Sequence, residues 1–199
     1  MAIALIDTGC ANLASVRFAL ERAGHDYVVA STPEQADECD RIILPGVGAA
    51  APAMAQLNRS GWADVLRGDQ RPLMGICLGM QLLFERSAEG DVECLGLIAG
   101  AVEKLPQARQ LVWPHMGWNT LDYVNADEPL LAGIEAGTHV YFVHGFYAPR
   151  GDYTRAATGY GDEISAVVRQ AHVAGCQFHP ERSAMAGAQI LKNFAELAR

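Results

Sequence analysis

Pro72-Leu73-Met74-Gly75-Ile76-Cys77-Leu78-Gly79-Met80-Gln81-Leu82-Leu83-Phe84 is the stretch around which the chain is organised. A short apolar run leads to Gly75, a single cysteine follows, and Gly79 opens a segment with helical apolar spacing. The pattern predicts a strand, a tight turn and a helix, with a thiol at the turn. The G-x-S-x-G nucleophile elbow has this layout with serine at its centre. Gly75 and Gly79 let strand and helix approach closely around a strained residue. A helix start at this point aims free N–H groups and a partial positive charge at the sulfur, favouring thiolate. The competing reading is a small buried cysteine, a common core residue.

A nucleophile needs a base. Gly175-Cys176-Gln177-Phe178-His179-Pro180-Glu181-Arg182-Ser183 follows apolar runs at 166–168 and from Val173 onward. Pro180 biases His179 towards extended geometry, and residues two apart in an extended segment project to the same side. Glu181 can then reach the His179 ring, fix its tautomer and support an imidazolium. An oxyanion needs two donors. Leu78 N–H supplies one, and the Pro45-Gly46-Val47-Gly48-Ala49 loop after the predicted strand 41–44 is the natural source of the other. A phosphate cradle and a plain connector are the alternatives for that loop, although no Gly-Lys-Ser/Thr follows it.

The 199 residues, half of them hydrophobic, suit one domain over 1–199 with a sizeable core. A net charge of −8 argues against a nucleic-acid partner. Five cysteines without close pairs suit reduced thiols rather than a disulfide framework or zinc site. No apolar run reaches membrane-spanning length, and no signal peptide is evident before the first strand at 3–7, so a cytoplasmic protein without membrane partners is expected. Alternating β and α patterns through Phe84 predict an α/β fold: a mostly parallel open sheet flanked by helices, with the cysteine at a strand's carboxyl end. Further along, 95–105 reads as a strand pair broken at Gly100, and Trp113–Asn119 as a rigid, partly exposed turn. Residues 137–144 read as a late strand, 164–170 and 173–178 as a hairpin, and 184–197 as an amphipathic helix.

Gly75-Ile76-Cys77-Leu78-Gly79-Met80-Gln81 together with Gln177-Phe178-His179-Pro180-Glu181 resembles the class I (triad) glutamine amidotransferases. The string Pro114-His115-Met116-Gly117-Trp118-Asn119 is similar to the glutaminase subunits of imidazole glycerol phosphate synthase, and disfavours the pyridoxal-phosphate synthase glutaminases. The resemblance implies Cys77 as nucleophile, His179 as general base and acid, and Glu181 as orienting carboxylate, with no metal or organic cofactor. It also implies that Glu89 balances the α-ammonium of bound L-glutamine and that Gly145 and Phe146 contact it. Gln81, one turn beyond Cys77, bonds the substrate amide or supports the local backbone. The implied partner is a (β/α)8-barrel cyclase subunit that receives ammonia, with Asn12, Trp118, Tyr141 and Arg182 as interface candidates. For Asn12 a plain helix cap is an equal alternative, and His115 alone reads as structural. The chain departs from the family pattern at Thr8, Ala11, Ala50, Gly145 (usually Ser or Thr) and Arg182 (usually Lys). A free-standing cysteine hydrolase or chaperone-like protein, and a degenerate binding subunit, are the remaining alternatives.

Overall fold

The computed structural model describes residues 2–9, 13–107 and 111–197. The first half alternates strand and helix: β1 (Ala2–Ile6), α1 (Leu13–Arg22), β2 (Asp26–Ala30), β3 (Arg41–Gly46), α2 (Ala50–Arg59), α3 (Trp62–Gly68), β4 (Leu73–Cys77) and a single turn α4 (Leu78–Gln81). Short strands follow: β5 (Phe84–Ser87), β6 (Val92–Glu93), β7 (Ile98–Lys104), β8 (His115–Thr120), β9 (Tyr123–Val124), β10 (His139–His144) and β11 (Phe146–Tyr147). The chain then runs through β12 (Thr154–Gly159), β13 (Glu163–Gln170) and β14 (Val173–Cys176) into α5 (Ala184–Glu196).

Eight strands form the main sheet in the order β2-β1-β3-β4-β14-β13-β12-β9. The pairings from β2 to β14 are parallel, and β13, β12 and β9 continue it in antiparallel fashion. Side chains on β1 and β3 alternate between two cores. Ala4, Ile6, Ile42 and Leu44 pack towards α2 and α3, while Ile3, Leu5 and Ile43 pack towards α1 and α5. That two-sided burial is what a parallel sheet covered on both faces requires. A β10–β8 pair and a four-stranded β11-β7-β5-β6 sheet complete the molecule.

Several local expectations change. The helix predicted after Gly79 ends after one turn. Residues 78–84 are buried all round rather than along one stripe. The carbonyls of Leu82, Leu83 and Phe84, which a longer helix would use, instead accept from the backbone N–H groups of residues 95–98. The break at Gly100 is no break: β7 runs through it, with Gly100 at φ 115 and its N–H donated to Glu85. The turn at Trp113–Asn119 is a cis Trp113–Pro114 peptide followed by β8, whose partner β10 begins nineteen residues after β8 ends and left no local signal. The hairpin expected of 164–170 and 173–178 is β13–β14, with Gln170 opposite Val173, and its second strand ends at Cys176.

Arg41, buried at the start of β3, donates from Nε to Ala195 O at 2.7 Å and from a terminal nitrogen to Leu197 O at 2.5 Å. A cation at these last carbonyls satisfies groups a helix end leaves open and complements its dipole. Replacing Arg41 by Leu should cost about 2–4 kcal/mol in urea denaturation, because two charge-assisted bonds and their buried acceptors are lost together.

Candidate active site

At the end of β4 the chain reverses through Cys77, which has φ 54 and ψ −110. A non-glycine residue there carries on the order of 1–3 kcal/mol of strain, held in place by its surroundings. A Cβ on Gly79 would lie 1.8 Å from Leu44 O, and one on Gly75 would lie 2.5 Å from Gly79 O. Bare backbones are therefore what let the turn pack against β3 and its own strand. Parallel pairing of β4 with β14 puts Ile76 beside Cys176, so the segment after Cys176 emerges next to the cysteine.

That segment carries His179. Its Nδ1 lies 2.8 Å from Glu181 Oε1, so the ring donates there and leaves Nε2 for the Cys77 sulfur, which lines the same cavity. Burial alone would lower the imidazole's pKa. The neighbouring sulfur and the Glu181 carboxylate outweigh that and raise it to about 10, which favours the charged ring. The route to Glu181 differs from the extended segment expected: only His179 is extended, and Pro180–Arg182 form one 3-10 turn that swings the carboxylate back onto the ring. The second carboxylate oxygen of Glu181 is buried without a hydrogen-bond partner.

A cavity of about 250 Å3 opens over the sulfur. Val47, Gly48, Cys77, Leu78, Gln81, Glu89, Gly145, Phe146 and His179 all face it, whereas Gly46 and Glu181 stand behind that wall along a smaller cleft. Gly48 has φ 96, the left-handed region glycine tolerates. Glu89 accepts from Ala50 N–H at 2.9 Å, closing the N-terminus of α2, and burial raises its pKa. Of the two roles weighed for Gln81, the geometry uses backbone support: Nε2 donates to Phe146 O at 2.7 Å and to Gln177 Oε1 at 3.0 Å.

Gln177, Val143 and His144 were given no role from sequence. Gln177 Nε2 lies 4.0 Å from the Cys77 sulfur and Val143 O lies 3.6 Å from it. Only the pairing of Gln177 with Gln81 in the two quoted motifs offered a signal for any of them. Cys39, Cys94 and Cys176 are free, buried thiols whose pKa values burial raises, that of Cys94 to about 11. Of the four described cysteines, Cys77 alone faces the cavity.

Trp118, Tyr141 and Arg182 come together beside the site. The Arg182 guanidinium sits 4.6 Å over the Tyr141 ring, and Trp118 meets that ring edge-on at 6.0 Å. Trp118 and Met116 are more than half exposed. Asn12 and Ala11 lie outside the described residues. Thr8 is buried with its hydroxyl unpartnered.

Gly145 does not need glycine for its backbone. A Cβ would lie 2.7 Å from the Trp113 ring, whose Nε1 donates to Gly145 O at 3.2 Å. The indole fills the place of a side chain. Gly145→Ser should therefore displace Trp113 and lower stability by about 1 kcal/mol. Combining it with Trp113→Leu should cost less than the sum of the single changes, a coupling that denaturant midpoints will measure.

His144, on this wall, and His115 behind it are buried and neutral, their pKa values lowered by burial to about 3 and about 4. An unfolded histidine protonates near pH 6.5. Below that pH the unfolded chain binds more protons than the folded one, so stability should fall on acidification, by up to about 1.4 kcal/mol per histidine per pH unit. His179 has the opposite sign: its contribution is present below its unfolded value and disappears as pH rises through about 10. Urea titrations between pH 6.5 and 4.5 should show a shallower slope for His115→Phe than for the parent.

The sequence model described as "Glutamine amidotransferase class-I" matches residues 4–197. "Imidazole glycerol phosphate synthase subunit HisH 1" of Vibrio vulnificus is 47% identical over 98% of each chain. "Imidazole glycerol phosphate synthase subunit HisH" of Xanthomonas axonopodis pv. citri is 52% identical over 98% of each. Among solved structures, one titled "Crystal structure of glutamine amidotransferase" superposes with a TM-score of 0.74, at 20% identity and over 97% of each chain, which speaks to the fold alone.

Proposed function

The chain belongs to the class I glutamine amidotransferase family, and from that premise we propose that it is the glutaminase subunit of an imidazole glycerol phosphate synthase, acting in cytoplasmic histidine biosynthesis as one 1–199 domain. The observation that carries the reading is the line Glu181–His179–Cys77 ending at a cavity sized for one small polar molecule. Full-length relatives near half identity support the subfamily.

In this reading the Cys77 sulfur attacks the side-chain carboxamide carbon of L-glutamine, forming a C–S bond. The carbonyl electron pair moves to oxygen, where Leu78 N–H and an N–H of the Gly46–Gly48 loop receive it. His179 passes its proton to the nitrogen, the C–N bond breaks and ammonia leaves. A water then attacks the thioester, giving its proton to His179, and the C–S bond breaks to release glutamate and the thiolate. The imidazolium state that the sulfur and Glu181 favour is the form needed for the first proton transfer. Glu89, beside the cavity, meets the α-ammonium, and Gly145 and Phe146 bound the substrate.

Ammonia in neutral water is mostly ammonium, which is no nucleophile, so release has to be coupled to a consumer. The partner in this proposal is the (β/α)8-barrel cyclase subunit, docked on the exposed face of Trp118, Tyr141 and Arg182, with Asn12 kept as a further interface candidate by resemblance. His179 N–H donates to Tyr141 O at 3.0 Å, and Ser183 Oγ bridges Tyr141 N–H and His179 O. These bonds support the reading, because they join Tyr141 of the proposed docking face directly to His179. Neither nucleic acid nor membrane is a partner in this reading, and no helix among the described residues is long and apolar enough to cross a bilayer.

Glutamate release measured with and without the cyclase subunit and its nucleotide ligand tests the proposal. The free chain should be a poor glutaminase that gains strongly in the complex, and Cys77→Ala should fall at least about 10³-fold to background. Retained turnover in that variant would remove Cys77 from the mechanism. Full activity of the chain alone would undo the coupled reading.

A further inference from the structure

Two buried histidines lie outside the triad, and their hydrogen bonds run in a single direction. His144 Nδ1 is 2.9 Å from Phe146 O. A carbonyl only accepts, so Nδ1 carries the hydrogen and Nε2 of this neutral ring is a bare acceptor. His115 Nδ1 lies 2.9 Å from that Nε2 and must donate to it. The remaining nitrogen of His115 then accepts from Asn119 Nδ2 at 3.3 Å. The hydrogens therefore point from Asn119 through His115 and His144 to Phe146 O, the same carbonyl that Gln81 Nε2 holds at 2.7 Å. The His115 ring is clamped in plane between Tyr160, 3.9 Å away at 19°, and Phe142, 4.7 Å away at 22°.

We propose that His115, which does not face the cavity, is a positioning residue for the glutamine pocket: its Nδ1–H, donated to His144 Nε2, holds that ring against Phe146 O, and through it the Gly145–Phe146 wall. The inference rests on the glutaminase reading of that cavity. Without the donor, His144 Nε2 is a buried acceptor with no hydrogen to accept. The Nδ1–H bond to Phe146 O still fixes the tautomer, but nothing now holds Nε2, and the ring gains by tilting that nitrogen towards the cavity it lines. Tilting weakens the bond to Phe146 O, and Gln81 is left as that carbonyl's firm donor. Cys77 and His179 make no bond to this chain of donors, so the reacting groups stay in place while the substrate's seat loosens. The expected signature is a change in KM rather than in kcat.

His115→Phe keeps a flat ring in the stack and removes the donor. His115→Asn sets an amide nitrogen close to the place of Nδ1. Both are compared with the parent in the complex with the cyclase subunit, by glutamine kinetics and by ¹⁵N NMR of the His144 ring. His115→Phe should raise KM for glutamine roughly tenfold with kcat within about twofold, and the His144 Nε2 resonance should move to that of an acceptor without a hydrogen bond. His115→Asn should keep KM within about threefold and retain the hydrogen-bonded Nε2 resonance. An unchanged KM in His115→Phe, or an equal rise in both variants, overturns the inference. Should the Phe variant not fold, His115→Gln takes its place, since its nitrogen reaches the Nε2 position instead. Equal KM for the Asn and Gln variants is again fatal. Failure of the parent complex to hydrolyse glutamine would instead remove the glutaminase reading itself.

Discussion

The backbone at Cys77 is held where no ordinary residue would choose to sit, and the rest of the site follows from that restraint. Its φ of 54 and ψ of −110 persist because β3, β4 and the single turn α4 pack with no room for Cβ atoms at Gly75 and Gly79. The strain lifts the sulfur out of the strand's plane and into the cavity. It also leaves the N–H groups of the following turn facing the same way. The residue stays buried at the margin of the core that Met74 and Ile76 enter, with its sulfur turned to the cavity.

Sheet order does the remaining work of assembly. Cys77 and His179 are about a hundred residues apart in the chain, yet β4 and β14 are adjacent and parallel, so their carboxyl ends deliver both residues to one edge. The antiparallel extension through β13, β12 and β9 is needed for this, because the hairpin back from β13 is what threads β14 beside β4. The catalytic apparatus proposed here therefore depends on long-range pairing for its proximity and on local strain for its orientation.

Those two origins explain what the sequence disclosed. Cys77, its flanking glycines and the His179–Glu181 spacing are local patterns, and each is readable within a dozen residues. The first four strands and α5 are legible for the same reason, since their apolar periodicities stand alone. By contrast, β8 is stabilised by β10, and the end of α4 by carbonyl bonds to residues 95–98, neither of which leaves a mark on its own neighbourhood. Gly145 is the clearest case. As a letter it looks like a lost hydroxyl, and only the Trp113 indole lying against it shows that the space was reassigned.

The polar groups under the pocket obey a stricter rule than the apolar ones. An apolar side chain in either core can be exchanged for another of similar volume with modest loss. Gln81, Gln177, His144 and His115 have no such latitude, because each occupies a donor or acceptor that would otherwise lose its partner. Glu181 is the exception. One oxygen orients His179, and the other is buried with nothing to accept from. The carboxylate's one hydrogen-bond partner is the imidazole whose proton the chemistry needs. Its negative charge beside the ring favours the imidazolium, while the unpaired oxygen costs stability.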